Sequence, residues 1–191
     1  MVEVEMKFPV ADFAPLERKL VAWGATKVKT RQEEDHYFNA PDRDFAQTDE
    51  ALRLRRVASS NFLTYKGPKL DPQTKTRTEI EVPLAPGEEA AEAMTQLLNH
   101  LGYRPVAVVL KERRVFQTKR QGFDLEICLD EVKDVGRFAE LEILAPDDRL
   151  DQARKVLQTA AAELGLTASE RRSYLELLLQ STRNRNHESH E

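Results

Sequence analysis

Charged residues of the same sign recur two positions apart in one segment of this chain after another. Glu3 and Glu5 form an acidic pair near the N-terminus, and Arg53 and Arg55 form a basic pair further along. In an extended strand, side chains at positions i and i+2 lie on one face about 7 Å apart, so such pairs repel each other. Eight acids and seven bases, in such pairs or singly, lie on one face of a predicted strand: Glu3, Glu5, Glu79, Glu81, Glu126, Asp130, Glu140, Glu142, Lys7, Arg53, Arg55, Lys66, Arg77, Lys111 and Arg113.

Acids and bases of these types, if they lie close together, are suited to binding a phosphate compound together with a metal ion. Converging carboxylate oxygens are the ligands that Mg2+ and Mn2+ prefer. Arg and Lys supply forked and point-like donors for phosphate oxygens. The alternative for any single strand is an ordinary solvated face. The recurrence of same-sign pairs favours the first interpretation, in which a sheet curls into a barrel with the charges lining a tunnel.

Other kinds of site fit this sequence less well. The seven glycines form no GxxxxGK phosphate-binding loop. One cysteine and four scattered histidines do not have the spacing of zinc ligands. Cys128 lies between Ile127 and Leu129, and we predict a buried or cavity-lining thiol rather than a nucleophile.

Two periodicities predict the elements that must position the charges. Alternating, strand-like segments occur at residues 2–8, 52–57, 61–66, 77–83, 106–118, 123–132 and 138–144. We expect a second strand or a bulge within 106–118. Helical patterns occur at about 13–23, 88–101, 147–164 and 170–179, with Asp12 as an N-cap and Gly24 and Gly102 as stop signals. Because strands outnumber helices without a strand–helix–strand rhythm, the pattern predicts an antiparallel α+β domain. Residues 66–73 are predicted to form a loop.

Composition limits the class of protein. The 191 residues are 32% charged and carry a net charge of −4, which disfavours nucleic acid as a partner. The N-terminus lacks the pattern of a signal peptide, and no apolar stretch approaches the roughly 18 residues of a membrane span. Cys128 has no partner for an internal disulfide. We therefore expect a cytoplasmic protein that does not bind a membrane.

A series of charged motifs resembles one known family. Residues 3–7 (EVEMK) form an ExExK motif. It is followed, in the family's order, by the segments 35–38 (DHYF), 51–56 (ALRLRR), 62–68 (FLTYKGP), 77–81 (RTEIE), 111–114 (KERR), 125–132 (LEICLDEV), 136–142 (GRFAELE) and 170–178 (ERRSYLELL). This order is similar to that of the CYTH superfamily, the triphosphate tunnel metalloenzymes, and particularly to its class IV adenylyl cyclases.

The resemblance implies an α+β fold built on an eight-stranded antiparallel β-barrel, closed or nearly closed, with helices packed outside. It implies metal ligation by Glu3, Glu5, Glu140 and Glu142, assisted by Asp130. It implies phosphate binding by Lys7, Arg53, Arg55, Lys66, Lys111 and Arg113, with Glu5, Lys7 and Lys111 as the catalytic residues. Further tunnel candidates are Arg77, Glu79, Glu81 and Glu126.

The resemblance leaves two reactions open. A class IV cyclase converts ATP to cyclic AMP and pyrophosphate with Mg2+ or Mn2+, and a triphosphatase hydrolyses inorganic or thiamine triphosphate with the same residues. We expect ATP, or another triphosphate, as the substrate and give cyclisation first place. The expected domain covers residues 1–179, followed by a polar, flexible tail at 180–191. The apolar run 175–179 is assigned to the core, with a homodimer interface as the alternative.

Overall fold

The computed structural model describes residues 2–69 and 77–188, and it is built on one antiparallel sheet of eight strands. The strands are β1 (Val2–Pro9), β2 (Thr26–Asn39), β3 (Ala51–Val57), β4 (Ser60–Lys69), β5 (Arg77–Leu84), β6 (Arg104–Arg120), β7 (Phe123–Val132) and β8 (Gly136–Ala145). Their order across the sheet is β1-β8-β7-β6-β2-β3-β4-β5.

The helices connect or flank these strands. They are α1 (Phe13–Ala22), α2 (Phe45–Thr48), α3 (Glu88–His100), α4 (Leu150–Leu164) and α5 (Tyr174–Glu188), with a 3-10 turn (Asp147–Arg149) before α4. Asp12 caps α1 by accepting a hydrogen bond from the backbone N–H of Ala14 at 3.1 Å. Gly24 follows α1 with φ +74°, a backbone conformation that favours glycine. Within the described residues, none of the helices has the length and apolar character that crossing a bilayer requires.

The sheet curls strongly into a half-barrel with helices outside. Its two edge strands, β1 and β5, are not hydrogen-bonded to each other in the described part of the chain. The predicted α+β class and antiparallel barrel architecture are therefore confirmed, with the barrel open rather than closed.

The apolar faces of β1 and β8 lie on the outside of the curl, under α4. Val4 on β1 and Leu141 on β8 are fully buried in one cluster with Leu157 of α4. Side chains alternate between the two faces of a strand. Because Val4 is buried on the outer face, Glu5 and Lys7, which is two residues further along, point towards the concave face. The hydrophobic effect outside the sheet thus turns the charges inward.

A second apolar cluster fixes the middle of the sheet. Leu52 and Leu54 of β3 pack with Phe38 of β2 and with Leu98 of α3, and all four are buried. This packing leaves the alternate residues of β3, including Arg53, to face the cavity.

The strand predictions differ from the structure at β2 and β6. Strand β2 was not among the predicted segments, because its N-terminal half is polar and exposed and lacks apolar alternation. Strand β6 is one continuous strand of 17 residues, longer than the predicted 106–118. It contains the expected irregularity, since its register against β2 shifts between Lys27 and Lys29 and between Tyr37 and Phe38.

The structure also differs from the sequence prediction in two segments, one near the C-terminus and one after the start of β4. Helix α5 begins at Tyr174, later than the predicted residue 170, and continues to Glu188, so helix includes part of the segment 180–191. In the predicted loop 66–73, residues up to Lys69 belong to β4, and residues 70–73 lie outside the described part of the chain.

Candidate active site

The concave face of the sheet encloses a cavity of about 380 Å3. Its walls carry almost every residue that the sequence predicts for the site. The predicted residues that line it are Glu3, Glu5, Lys7, Arg53, Arg55, Lys66, Arg77, Glu79, Glu81, Lys111, Arg113, Glu126, Glu140 and Glu142. The structure thus brings together side chains from seven of the eight strands, and the eighth, β2, contributes residues that the sequence analysis did not select.

Strand register explains why the acids converge. Glu5 of β1 pairs with Glu142 of β8, and Glu142 pairs on its other side with Glu126 of β7. Two residues further along β1, Lys7 pairs with Glu140. Directly opposed residues on antiparallel strands have Cβ atoms about 4.5–5.5 Å apart. The backbone therefore holds three carboxylates in a row, with a fourth beside a lysine.

The convergence of these carboxylates is electrostatically unfavourable unless a divalent metal ion lies among them. Carboxylate oxygens of Glu5, Glu140 and Glu142 lie within 4.8 Å of one another. Burial raises the pKa of Glu142 well above its usual range in spite of the nearby Arg113, and the charges of Glu3 and Glu140 raise it further. Burial, with the charge of Glu5, also raises the pKa of Glu3 to about 7. Three hard oxygen ligands at this spacing fit a divalent cation such as Mg2+ or Mn2+.

Cys128 lies beside this row. Its side chain is fully buried, and its Sγ donates a weak hydrogen bond to Glu126 Oε1 at 3.6 Å. Burial raises the pKa of the thiol well above its usual range. The prediction of a buried thiol is confirmed, and a protonated thiol at this position is a poor nucleophile.

Arg113 is held by three hydrogen bonds to two acids. Its guanidinium donates two hydrogen bonds to the Asp130 carboxylate, at 2.7 and 2.5 Å, and a third to Glu140. Asp130 is fully buried, is absent from the described cavity lining and also accepts a hydrogen bond from the Tyr174 hydroxyl at 2.9 Å. The structure therefore places Asp130 where it orients Arg113, and its metal-ligand role stays a prediction.

Two acids of β2 hold other cations and were not selected from the sequence. Asp35 accepts two hydrogen bonds from Arg55 at 2.6 and 2.7 Å. Glu33 Oε2 lies 3.0 Å from Arg55 and 3.2 Å from Lys111 Nζ. Burial acts to raise the pKa of Glu33, but the charges of Lys111 and Arg55 lower it to about 2. Arg53 and Arg55 likewise hold the pKa of Asp35 well below its usual range, against burial.

The i, i+2 spacing of Glu33, Asp35 and Tyr37 is the signal that could have found this wall of the cavity. The segment lacks apolar alternation, but its acids and tyrosine share the period of a strand. Arg31, two residues earlier, also lines the cavity.

The segment before α5 closes part of the cavity wall. Lys7 Nζ donates a hydrogen bond to the Arg172 carbonyl oxygen and lies 4.1 Å from the centroid of the Tyr174 ring. Lys111 Nζ lies 5.2 Å from the same centroid. Tyr174 thus contacts two of the predicted phosphate-binding cations and, through Asp130, positions Arg113. Its place in the motif 170–178 was the signal in the sequence.

A model of the CYTH domain matches residues 1–174. The chain belongs to the CYTH family. It is 38% identical over 182 residues to a Methanocaldococcus jannaschii protein named "Putative adenylate cyclase MJ0240", covering 93% of this chain and 98% of that one. Among solved structures it resembles PH1819 from Pyrococcus horikoshii (40% identity, TM-score 0.81, 93% of this chain and 98% of that one).

A more distant CYTH-like structure is that of HpAC1 from Hippeastrum. It is 16% identical to this chain, covers 94% of it and 95% of its own length, and has a TM-score of 0.67. That protein is described as a "Putative adenylyl cyclase" with a dominant triphosphatase activity. At this identity the likeness concerns the fold alone.

The pairing of Glu33 predicts a pH dependence of stability. Because its pKa is about 2 in the folded protein and about 4.5 in the unfolded chain, its contribution is present above pH 4.5 and is lost as the pH falls towards 2. We expect Glu33→Gln to flatten the acid limb by up to about 1.4 kcal/mol per pH unit. Urea unfolding at a series of pH values measures this slope. Glu34→Gln is the control, and an unchanged acid limb in Glu33→Gln would contradict the pairing.

Tyr174 is predicted to stabilise the closed wall through its hydroxyl. Tyr174→Phe keeps the ring against Lys7 but removes the hydrogen bond to Asp130, which we expect to lower the free energy of unfolding by about 1–3 kcal/mol. Tyr174→Leu also removes the ring and should cost more. Urea denaturation compares the three proteins, and wild-type stability in both variants would show that the contact contributes nothing.

Proposed function

We propose that this CYTH protein is a metal-dependent adenylyl cyclase that converts ATP to cyclic AMP and pyrophosphate. One observation carries the proposal: the Glu5, Glu140 and Glu142 carboxylates meet within 4.8 Å in the same cavity as the cations Lys7 and Arg113. Triphosphate transfer chemistry requires both sets of charges together. The name of the 38% identical relative supports cyclisation as the reaction.

Glu5, Glu140 and Glu142 would hold a divalent metal, with Glu3 beside them. Their spacing and the raised pKa of Glu142 fit such an ion, because carboxylates that resist ionisation alone are relieved by a cation. When bound, Mg2+ or Mn2+ would supply Lewis-acid neutralisation of phosphate charge. Which of the two metals is used is left to the assay.

The basic residues would bind and orient the triphosphate. Six of the cations that line the cavity would hold phosphate oxygens: Lys7, Arg53, Arg55, Lys66, Lys111 and Arg113. Arg113 and Arg55 are fixed by paired hydrogen bonds to Asp130 and Asp35, so little reorganisation is needed when the substrate binds. This preorganisation would stabilise the charge that develops on the pyrophosphate leaving group.

In the cyclisation, the ribose 3′-hydroxyl oxygen bonds to the α-phosphorus and the bond from that phosphorus to the pyrophosphate oxygen breaks. The geometry needed is an in-line approach of about 3 Å between the hydroxyl oxygen and the phosphorus. Glu5 would accept the hydroxyl proton, while Lys7 and Lys111 would stabilise the phosphate charge.

A triphosphatase is the second candidate, because the same fold in the Hippeastrum protein is described with that activity. There a water molecule would attack the terminal phosphorus, the bond from that phosphorus to the bridging oxygen would break, and the diphosphate part of the substrate would leave while the attacked phosphorus is released as orthophosphate. The two reactions use the same cavity residues and differ in where the substrate lies along them.

Replacing Glu5 should lower the catalytic activity while the protein still folds. We expect Glu5→Gln to lower metal-dependent turnover of ATP by about 100-fold or more, since one ligand and the proposed proton acceptor are lost together. The assay measures cyclic AMP, pyrophosphate and orthophosphate at fixed Mg2+ or Mn2+. Glu34→Gln, outside the cavity lining, is the control, and full activity in Glu5→Gln would remove the metal-site proposal.

Replacing a cation of the cavity should weaken triphosphate binding. Arg53→Ala and Lys111→Ala are each expected to weaken triphosphate binding about tenfold or more, equivalent to about 1.4 kcal/mol, because a charge-assisted hydrogen bond is lost. Isothermal titration calorimetry with tripolyphosphate and Mg2+ provides the affinities. Wild-type affinity in both variants would contradict the proposed phosphate site.

The reaction itself is decided by its products. The cyclase proposal predicts cyclic AMP and pyrophosphate from ATP and no turnover of 3′-deoxy-ATP, which lacks the attacking hydroxyl. Orthophosphate released at equal rates from ATP, 3′-deoxy-ATP and tripolyphosphate would favour the triphosphatase instead.

A further inference from the structure

We propose that Arg31 of β2, together with Arg113 of β6, binds the terminal phosphate group of the substrate and so selects triphosphates over diphosphates. Arg31 lines the same cavity as the residues of the proposed triphosphate site, and it lies on the strand that the sequence analysis did not find. The proposal rests on the proposed function, because it adds a phosphate-binding residue to the site in which the triphosphate would be held.

Strand register places the two arginines directly opposite each other. Arg31 pairs with Arg113, and both side chains line the cavity. Directly opposed residues of antiparallel strands have Cβ atoms about 4.5–5.5 Å apart, and like charges at such positions are destabilising. An anion that contacts both guanidinium groups would relieve this repulsion. Phosphate is suited to this, because its oxygens accept paired N–H hydrogen bonds from arginine.

Arg31 keeps most of its hydrogen-bond donors available for a ligand. Its Nε donates to Glu33 Oε1 at 2.5 Å, and its side chain is 25% exposed. A guanidinium group carries five N–H donors. In the part of the chain that the structure describes, the other donors of Arg31 have no acceptor. Arg113 differs, because paired hydrogen bonds to Asp130 already hold it. A phosphate group could therefore bind Arg31 without displacing a second protein acceptor.

The counter-charge of Arg31 is shared with other cations. The buried carboxylate of Glu33 lies 2.5 Å from Arg31, 3.0 Å from Arg55 and 3.2 Å from Lys111 Nζ. One carboxylate carries one negative charge, so it cannot neutralise three cations. Arg31 thus has only a share of that charge, and an anionic ligand would add to it at close range.

The position of Arg31 along β2 favours the terminal phosphate over the inner ones. Every second residue of β2 from Arg31 onwards is directly opposed by a cation of a neighbouring strand: Arg31 by Arg113, Glu33 by Lys111, Asp35 by Arg55 and Tyr37 by Arg53. Arg31 is the first residue of β2 in the cavity lining, and residues 26–30 before it are exposed. A phosphate chain that lies along this row of cations therefore ends next to Arg31.

The charge of a terminal phosphate also matches a pair of arginines. Like a phosphate monoester, it carries a charge of about −1.5 to −2 near pH 7 and has three oxygens that accept hydrogen bonds. An inner phosphate, which is bridged on both sides, has a smaller charge and fewer free oxygens. Arg31 and Arg113 together supply the matching positive charge. A diphosphate held by the other cations of the row would lack the group that reaches Arg31.

Calorimetry with two nucleotide analogues tests the proposal. One is an ATP analogue with methylene groups in place of both bridging oxygens of its triphosphate, so that neither cyclisation nor hydrolysis consumes it. The other is α,β-methylene-ADP, and each is titrated with Mg2+. We expect the wild-type protein to bind the triphosphate analogue at least about tenfold more tightly. Arg31→Gln should weaken that binding about tenfold and diphosphate binding by less than about twofold.

Two further variants separate a direct contact from a change in overall charge. Arg31→Lys keeps the charge but loses the forked donors, so its affinity for the triphosphate analogue should lie between those of the wild type and Arg31→Gln. Lys29→Gln is the matched control, because Lys29 is an exposed cation two residues earlier on β2 and lies outside the cavity lining. It should change both affinities by less than about twofold.

Three results would overturn the role of Arg31: unchanged triphosphate affinity in Arg31→Gln, equal weakening of both analogues, or the same loss in Lys29→Gln. Each would leave the metal-dependent chemistry in place, since Glu5→Gln tests that chemistry separately. Conversely, a selective loss of triphosphate binding in Arg31→Gln, combined with no cyclic AMP from ATP in the wild-type protein, would support Arg31 and contradict the cyclase proposal. The two failures are therefore distinguishable.

Discussion

The pairing of buried acids with buried cations inside the curled sheet is the interaction on which the rest of the structure depends. A charge removed from water is costly unless a partner of opposite sign and hydrogen bonds replace the solvent. Asp130 provides them for Arg113, and Asp35 provides them for Arg55. Glu5, Glu140 and Glu142 converge as well, and Arg113 donates a hydrogen bond to Glu140 and lies 3.6 Å from Glu142. The basic wall of the cavity is therefore preorganised, and the acidic wall gathers carboxylates that fit a divalent cation.

Much of this arrangement follows from local sequence. The alternation of Val4 with Glu5 fixes which face of β1 is apolar, and the same holds for Leu54 with Arg53 and Arg55. Once helices cover the apolar faces, the charged faces turn inward. Strand β2 could not be found this way, because its exposed half has no apolar period. Its Glu33 and Asp35 acquire their roles from β3 and β6, which are neighbours in space and distant in sequence. The openness of the barrel and the register shift of β6 opposite Tyr37 and Phe38 are likewise set by long-range pairing.

The cavity walls fix the positions of the phosphate-binding cations, but they do not fix where the substrate lies along the cavity. The cations bind phosphate groups without specifying which phosphorus is attacked, so membership of the CYTH family is compatible with cyclisation and with hydrolysis. The position of the substrate along the cavity decides between them.

Thermal unfolding with and without Mg2+ and ATP, applied to the wild-type protein and to Arg113→Gln, tests the shared charged cavity most directly. A ligand present at 100 times its Kd stabilises the folded state by about 2.7 kcal/mol, which raises the Tm of a chain of this size by roughly 5–10 °C. The account predicts this rise when metal and nucleotide are both present, and its loss in Arg113→Gln. An unchanged Tm of the wild-type protein at saturating concentrations of both would contradict it.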